Sequence, residues 1–331
     1  MKPATPIRCA VIGVGLMGER HARVLRSLPE AILVGLYDPD AARARQVAER
    51  YGTRSAPSIE SLLLEAEAVT IASPTPLHYE HVKRCLEAGK QVLVEKAITE
   101  HVGQAEELAN LAAARHLLLQ VGHIERYNPV FTALKGLLGE RDHEPFALTF
   151  RRLSSYASSN RTVDVVLDLM IHDLDLALDL CRGQEVEALA AIGRSVFSGD
   201  IDHAQAQFSA RGGPLCSFVA SRVTEHKVRS IGATTPSEFI VADLLRKEIS
   251  IFRNTRAAYR AQEGGVAYQQ RSLVEQVQVA TAEPLMLELQ DFLACVRSGK
   301  PPTVSAGDAI RSLRAVHDLT AQIRSGQERA S

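Results

Sequence analysis

The stretch Val163–Cys181 carries the residues best suited to proton chemistry. On a helical wheel at about 100° per residue, Asp164, Asp168, His172, Asp175 and Asp179 fall on one stripe. Most of the remaining positions are Val, Leu, Ile or Met. Burying such a stripe is costly unless its groups are paired or line a wet cleft. Asp168 and His172 stand four apart, so on a helix their side chains are neighbours. A carboxylate beside an imidazole orients the ring and stabilises imidazolium, as a general base requires. Two other readings fit the same stripe. One is the solvated face of a half-exposed helix. The other is a set of metal ligands, but no Cys or His-x-x-x-His spacing supports it, and no metal is expected.

A second group of residues points to a dinucleotide. Val11-Ile12-Gly13-Val14-Gly15-Leu16-Met17-Gly18 is a G-x-G-x-x-G that follows a strand-like run and opens a helix. In that pattern Gly13 permits the tight turn, Gly15 lets a pyrophosphate reach the backbone, and Gly18 lets helix and strand pack closely. Leu16 and Met17 complete the loop, and the helix N-terminus offers free N–H groups to phosphate. Asp38 lies at the end of the next strand, where a carboxylate accepts hydrogen bonds from ribose hydroxyls and repels a 2′-phosphate. NAD is therefore expected, while Arg43 and Arg45 keep NADP open. Ser73-Pro74-Thr75-Pro76-Leu77-His78 follows another strand, and loops at such carboxyl ends line the cofactor crevice. The same loop reads equally as a Pro-rich turn with His78 capping a helix. Glu95-Lys96 ends a further strand at that edge. A lysine there could hydrogen-bond a substrate hydroxyl and stabilise charge on its oxygen, or be one more surface lysine.

The elements that must position these groups follow from the periodicity. Arg8–Ile12, Ile32–Tyr37, Ala68–Ala72, Gln91–Val94 and Leu117–Val121 are near-continuous apolar runs, as strands covered on both faces should be. Between them lie stretches with helical spacing: Gly18–Ser27, Pro39–Tyr51, Ser58–Leu64, Tyr79–Ala88 and Val102–Ala114. Right-handed crossovers then give an α/β doubly wound parallel sheet, a Rossmann domain over 1–122. Beyond it, Val163–Cys181 reads as one helix. The runs Val186–Val196, Ala204–Ser209, Leu215–Val223, Val228–Ile231, Glu238–Val241 and Glu248–Phe252 read as strands of a large, open, mostly antiparallel sheet. Residues 123–331 thus form an α+β substrate and assembly domain. Its closing helices, Pro284–Arg297 and Ser305–Arg324, are free to pack back on the first domain.

Composition narrows the function further. The chain has 331 residues, 46% hydrophobic and 23% charged, with net charge −1. That is a globular balance with no basic tract, which argues against a nucleic-acid surface. No apolar run reaches the roughly 18 residues of a membrane span. The five cysteines are scattered and odd in number, which fits reduced thiols in a cytoplasmic setting.

Taken in order, these residues resemble the Gfo/Idh/MocA family of NAD(P)-dependent sugar and cyclitol oxidoreductases. Gly13/Gly15/Gly18, the loop Ser73–His78, Glu95-Lys96, Asp168-Leu-Met-Ile-His172 and Glu283-Pro284-Leu285 match its successive motifs. The resemblance implies that Lys96, Asp168 and His172 are catalytic and that substrate lies between the nicotinamide and the open sheet. It also implies assembly into a homodimer or homotetramer through that sheet. A narrower likeness lies in Gly122-His-Ile-Glu-Arg-Tyr-Asn-Pro129 and Val166–Asp175. Both resemble members that oxidise UDP-N-acetylglucosamine at C3, and imply that Arg126, Tyr127 and Asn128 contact substrate, with Arg126 pairing to a diphosphate. The alternative is that Arg126–Pro129 merely begins the second domain.

Two departures stand out. Ala97 follows Lys96 where the family has proline, and a cis bond before a non-proline residue costs about 2.5–4 kcal/mol. The Lys96–Ala97 bond is therefore expected either trans with the lysine re-aimed, or cis under strain. Met170 replaces a small residue within D-x-x-x-H. The readings to separate are a nucleotide-sugar dehydrogenase, a dehydrogenase of free sugars or inositols, and an NAD-sensing protein without turnover.

Overall fold

Five short apolar runs build the first sheet. The computed structural model describes residues 5–139, 145–156, 163–181, 184, 186–253, 258–262, 265–269 and 273–329. In chain order the first elements are β1 (Ile7–Ile12), α1 (Leu16–Ser27), β2 (Ala31–Tyr37), α2 (Ala41–Tyr51), α3 (Ile59–Leu63) and β3 (Ala68–Ile71). Then come α4 (His78–Glu87), β4 (Gln91–Glu95), α5 (Val102–Ala114) and β5 (Leu119–Gly122). After them follow α6 (Pro129–Gly139), β6 (Ala147–Leu153), α7 (Ile171–Leu180), β7 (Val186–Arg194), β8 (His203–Ala210) and β9 (Leu215–Ser221). The rest are β10 (Val228–Thr234), β11 (Glu238–Asp243), β12 (Glu248–Arg253), β13 (Ala258–Gln262), β14 (Gly265–Gln269), β15 (Leu273–Gln278), α8 (Pro284–Ser298) and α9 (Ala306–Glu328).

The chain divides into two compact units, Met1–Tyr127 with Ala282–Arg314, and Asn128–Thr281 with Ala315–Ser331. In the first, the strands run parallel in the order β2-β1-β3-β4-β5. Every residue of β3 and β5 is buried, as a sheet covered on both faces requires. The pairings Ile12↔Tyr37, Ile12↔Ile71, Ile71↔Val94 and Glu95↔Gly122 bring the strand ends level. Gly13, Asp38, Ser73, Lys96 and His123 therefore leave the sheet at one edge. The strand order reverses between β1 and β3, and ligands of such sheets bind at that switch point. On one face, Leu285, Leu289, Phe292 and Leu293 of α8 share a core with Ala22, Val24 and Leu25 of α1.

The second unit holds an eight-stranded sheet in the order β15-β12-β11-β10-β6-β9-β8-β7. All its pairings are antiparallel except β6 with β9. Burial alternates along β6, β8 and β11, so one face makes a core and the other does not. Phe150, Phe218 and Phe208 stack in that core at centroid distances of 5.0–5.1 Å. On the open side Leu215, Phe239, Phe252 and Val274 are exposed.

The expected single helix over Val163–Cys181 is corrected. Its first part, Val166–Met170, is a π-turn, and α7 begins only at Ile171. The wider turn breaks the regular 100° step, so the acidic stripe does not stay on one face. Asp164 instead caps the segment, its Oδ1 accepting the N–H groups of Val166 and Leu167 at 3.0 Å each. Asp175 is buried, and Asp179 pairs with Lys135 of α6 at 2.6 Å.

Candidate functional site

At the switch point the glycine turn is sterically fixed. Gly13 has φ +83°, and a Cβ there would meet the Ser73 backbone nitrogen at 2.6 Å. A Cβ on Gly18 would fall 1.7 Å from the Gly13 carbonyl oxygen. Gly15 differs, because nothing lies within 4 Å of its Cβ position. The first two glycines are thus demanded by packing, and the third leaves open space. Gly15 begins α1 without any side-chain cap, so the helix's first N–H groups remain available to an anion. Leu16 beside it is 73% exposed and Met17 half-buried, an apolar cover at the mouth of the turn.

Asp38 anchors this turn. Its Oδ2 accepts the Val14 N–H at 2.8 Å and its Oδ1 the Asp40 N–H at 2.9 Å. A carboxylate has about four lone-pair sites, so capacity for ribose hydroxyls remains. Arg43 pairs with Asp40 at 3.5 Å. These features fit a dinucleotide: an open glycine, an uncapped helix start and a carboxylate at the next strand end.

The loop after β3 presents Ser73, Pro74 and Thr75 partly or fully exposed. His78 ends the same loop and is buried. It is 1% exposed, and its two ring nitrogens lie 2.7 Å from the carbonyl oxygens of Ala97 and Ser73. Its role is to tie this loop to the segment after β4. Lys96 is half-buried, and the Lys96–Ala97 peptide bond is cis. Glu95 is buried and accepts a hydrogen bond from His21 Nε2 at 2.9 Å. Burial raises its carboxyl pKa. The His21 hydrogen bond and the charges of His21, Lys96 and His78 outweigh that, and the net shift is down. Glu95 is thus tied to α1 through His21.

The three residues expected to contact substrate also have structural partners. Arg126, only 7% exposed, lies in the 3-10 turn Ile124–Tyr127 and its charge helps hold the Asp308 carboxyl below the usual range. For Asp308 burial opposes that shift, and Ser305 and Arg311 reinforce it. The Tyr127 hydroxyl donates to Asp291 Oδ2 at 2.6 Å and accepts from Gln120 at 2.9 Å. Asn128 Oδ1 accepts the Val130 N–H at 3.1 Å, capping α6. The unit boundary falls between Tyr127 and Asn128, so Arg126 and Tyr127 belong to the first unit and Asn128 to the second.

In the second unit Asp168 sits in the π-turn and His172 in the first turn of α7, both half-buried. π-turns within helices cluster at functional sites. The next residue, Asp173, is buried and paired with Arg152 of β6 at 2.7 Å. Sequence reading missed Asp173, His21 and Glu288. Each is a charged or polar type at a position that the apolar periodicity assigns to the core.

Fold, glycine turn and strand-end carboxylate define an NAD-binding oxidoreductase of the CH–OH dehydrogenase class. Residues 7–123 match the Gfo/Idh/MocA model, an oxidoreductase family with an NAD-binding Rossmann fold. The UDP-N-acetylglucosamine 3-dehydrogenase of Acidithiobacillus ferrooxidans is 32% identical over 295 residues, covering 89% of this chain and 90% of that one. The chain belongs to the Gfo/Idh/MocA family. The scyllo-inositol 2-dehydrogenase (NAD(+)) of Bacillus subtilis is 27% identical over 337 residues, covering 97% of this chain and 95% of its own. A solved structure of the Acidithiobacillus ferrooxidans enzyme superposes with a TM-score of 0.86 at 28% identity, covering 97% of this chain and 99% of that one. Among the described residues no helix is long and apolar enough to cross a membrane.

Proposed function

We propose that this chain oxidises a hydroxyl of a nucleotide sugar to a ketone, with UDP-N-acetylglucosamine C3 as the reacting centre. The observation that carries the reading is the 32% identity to the Acidithiobacillus ferrooxidans enzyme over nearly the whole chain. The run Gly122–Pro129 supports it. In this reading His172 removes the hydroxyl proton and Asp168 orients the imidazole. Lys96 hydrogen-bonds the same oxygen and stabilises its developing charge. Ser73, Pro74, Thr75, Gly15, Leu16 and Met17 line the cofactor. NAD, when bound, supplies the hydride acceptor. The exposed apolar side of the eight-stranded sheet serves assembly into a dimer or tetramer, measured by light scattering on the eluting protein.

The test is NADH formation with UDP-N-acetylglucosamine, run with an aminotransferase and glutamate to remove the keto product. A sustained rate that is absent with free N-acetylglucosamine supports the reading. No rate with the nucleotide sugar, but a rate with inositols, favours the second reading, a free-polyol dehydrogenase. The 27% identity to the scyllo-inositol enzyme over 97% of this chain is what favours it.

A further inference from the structure

Behind the Lys96 segment lies a cluster that neither the cofactor turn nor the proposed chemistry uses. His21 of α1, Glu95 at the end of β4 and Glu288 of α8 each offer one ligand-type atom, all within 4.8 Å of one another. His21 and Glu288 are 0% exposed and Glu95 is 8% exposed. His21 holds Glu95 Oε1 at 2.9 Å. Neither carboxyl oxygen of Glu288 reaches a hydrogen-bond partner among the described residues. On the opposite side, a Cβ on Gly122 would lie 3.1 Å from Glu95 Cα and 3.3 Å from its Oε2. Glu95 is thus held by a hydrogen bond from α1 and closely approached by β5, with Glu288 of α8 within 4.8 Å.

We infer that His21, Glu95 and Glu288 form a buried cluster that fixes the end of β4 and thereby aims Lys96, with Glu288 as a positioning residue. The inference rests on the reading of Lys96 as catalytic given above. Two ionised carboxylates side by side in a buried site are strongly disfavoured. Burial, and the charges of Glu95 and Asp291, push the Glu288 carboxyl well above its usual range, while Glu95 stays low on its hydrogen bond to His21. The groups facing the cluster are Lys96 and His78, which favour the Glu95 anion, and Asp291, which disfavours a Glu288 anion. Glu288 is therefore the neutral acid of the set, within 4.8 Å of the Glu95 anion. One proton on Glu288 keeps a single negative charge at Glu95, beside the lysine that follows it in the chain. Truncating the fully buried Glu288 side chain opens space beside Glu95 and lets the next residue shift. A displacement of about 1 Å near reacting groups can cost about 100-fold in rate.

The cluster is tested with E288Q, which copies the neutral acid, and E288A, which does not. With whichever sugar supports turnover, E288A is expected to lower kcat by about 10- to 100-fold, with KM changed far less and an altered pH profile. E288Q is expected to restore most of that kcat. A second readout needs no substrate. The pH dependence of Lys96 acetylation by an activated ester, read peptide by peptide, should shift in E288A but not in E288Q, with the other lysines as internal standards. If E288A does not fold, G122A presses on Glu95 from the β5 side and should shift the same profile. Wild-type kcat and an unchanged Lys96 profile in E288A, or in G122A where E288A does not fold, would overturn the inference. So would an E288Q as damaged as E288A, or one metal ion per chain that E288Q loses, since ligation by an ionised Glu288 would then replace positioning. Failure of the wild type on every sugar and polyol would sink the functional reading and leave the labelling test standing.

Discussion

Both units bury charge, but by different rules. In the second, Arg152 meets Asp173 through Nε at 3.0 Å and Nη2 at 2.7 Å. Arg222 meets Asp202 at 2.8 Å. Asp202 also accepts the N–H groups of Val196, Phe197 and Ser198. Burial pushes its carboxyl up, but these donors and Arg222 pull it far below the usual range. In both cases an arginine meets the buried carboxylate directly, and at Asp202 backbone and Ser198 donors occupy both oxygens as well, the form in which a buried ion pair survives. In the first unit, His21 faces two carboxyls, and the surplus acid is accommodated by a proton rather than by a partner. A paired carboxylate loses its stabilisation as pH falls, whereas a protonated buried acid loses it as pH rises. The half-exposed Asp168 and His172 are a third case, charge-bearing groups left near the surface in an otherwise apolar stretch.

The comparison is sharpest at two adjacent residues. His172 and Asp173 are neighbours in sequence, yet one is half-buried and the other sits beneath β6. His172→Ala is expected to lower kcat by about 10² to 10⁴ with little change in Tm, measured by steady-state kinetics and a thermal melt on one preparation. Near-wild-type kcat would remove His172 from the role of base. Asp173→Ala should do the reverse. It strands the Arg152 charge in the core, at a cost of about 3–5 kcal/mol, read by denaturant unfolding. The double change R152M/D173L replaces both charges by apolar side chains and should recover most of that loss. If D173A costs under 1 kcal/mol, the pair is not dry and the contrast between units fails.

Glu288 gives the pH-dependent arm. Its carboxyl is raised in the folded chain, so folding takes up a proton. The stability it contributes is fully present below the usual carboxyl range and is lost as pH rises toward its folded value. E288Q carries no such proton. Its advantage over wild type should therefore widen by about 1.4 kcal/mol per pH unit above the usual carboxyl pKa. Unfolding at several pH values measures it. A gap independent of pH would mean that Glu288 is ionised in the native state.

The legible parts of the fold were those with an unbroken period. The parallel strands and the glycine turn carry their own signals, and the structure places them within two residues of the expected bounds. The central strand β6 was invisible because its inward positions are Leu148, Phe150 and Arg152. A buried arginine looks like a surface residue until Asp173 is found opposite it. The acidic stripe was misread because the π-turn at Val166–Met170 inserts a residue into the period. Glu288 was hidden for a related reason. It sits among Leu285, Leu289 and Phe292 on the buried side of α8, and its partners come from distant parts of the chain. Sequence spacing reports what one element does, whereas a buried polar cluster is made by several.

The smallest effect tests the same logic on the surface. Asp40 caps α2, accepting the N–H groups of Ala42 at 3.1 Å and Arg43 at 3.0 Å. Its carboxyl is held below the usual range, first by the Arg43 backbone N–H, against the opposing effect of desolvation, and then by the charge of Arg43, the Ala42 N–H and the charge of Arg45. A depressed carboxyl contributes stability that is present above the usual carboxyl range and is lost as pH falls through its folded value. D40A should therefore lower Tm slightly at neutral pH, and the difference from wild type should vanish in acid. That slope is opposite in sign to the one expected for Glu288, within the same unit. Melting both variants across one pH series sets the exposed, hydrogen-bonded carboxylate against the buried, protonated acid. Slopes of the same sign would mean that one of the two carboxyls is shifted in the opposite direction, and the contrast between exposed carboxylate and buried acid would fail.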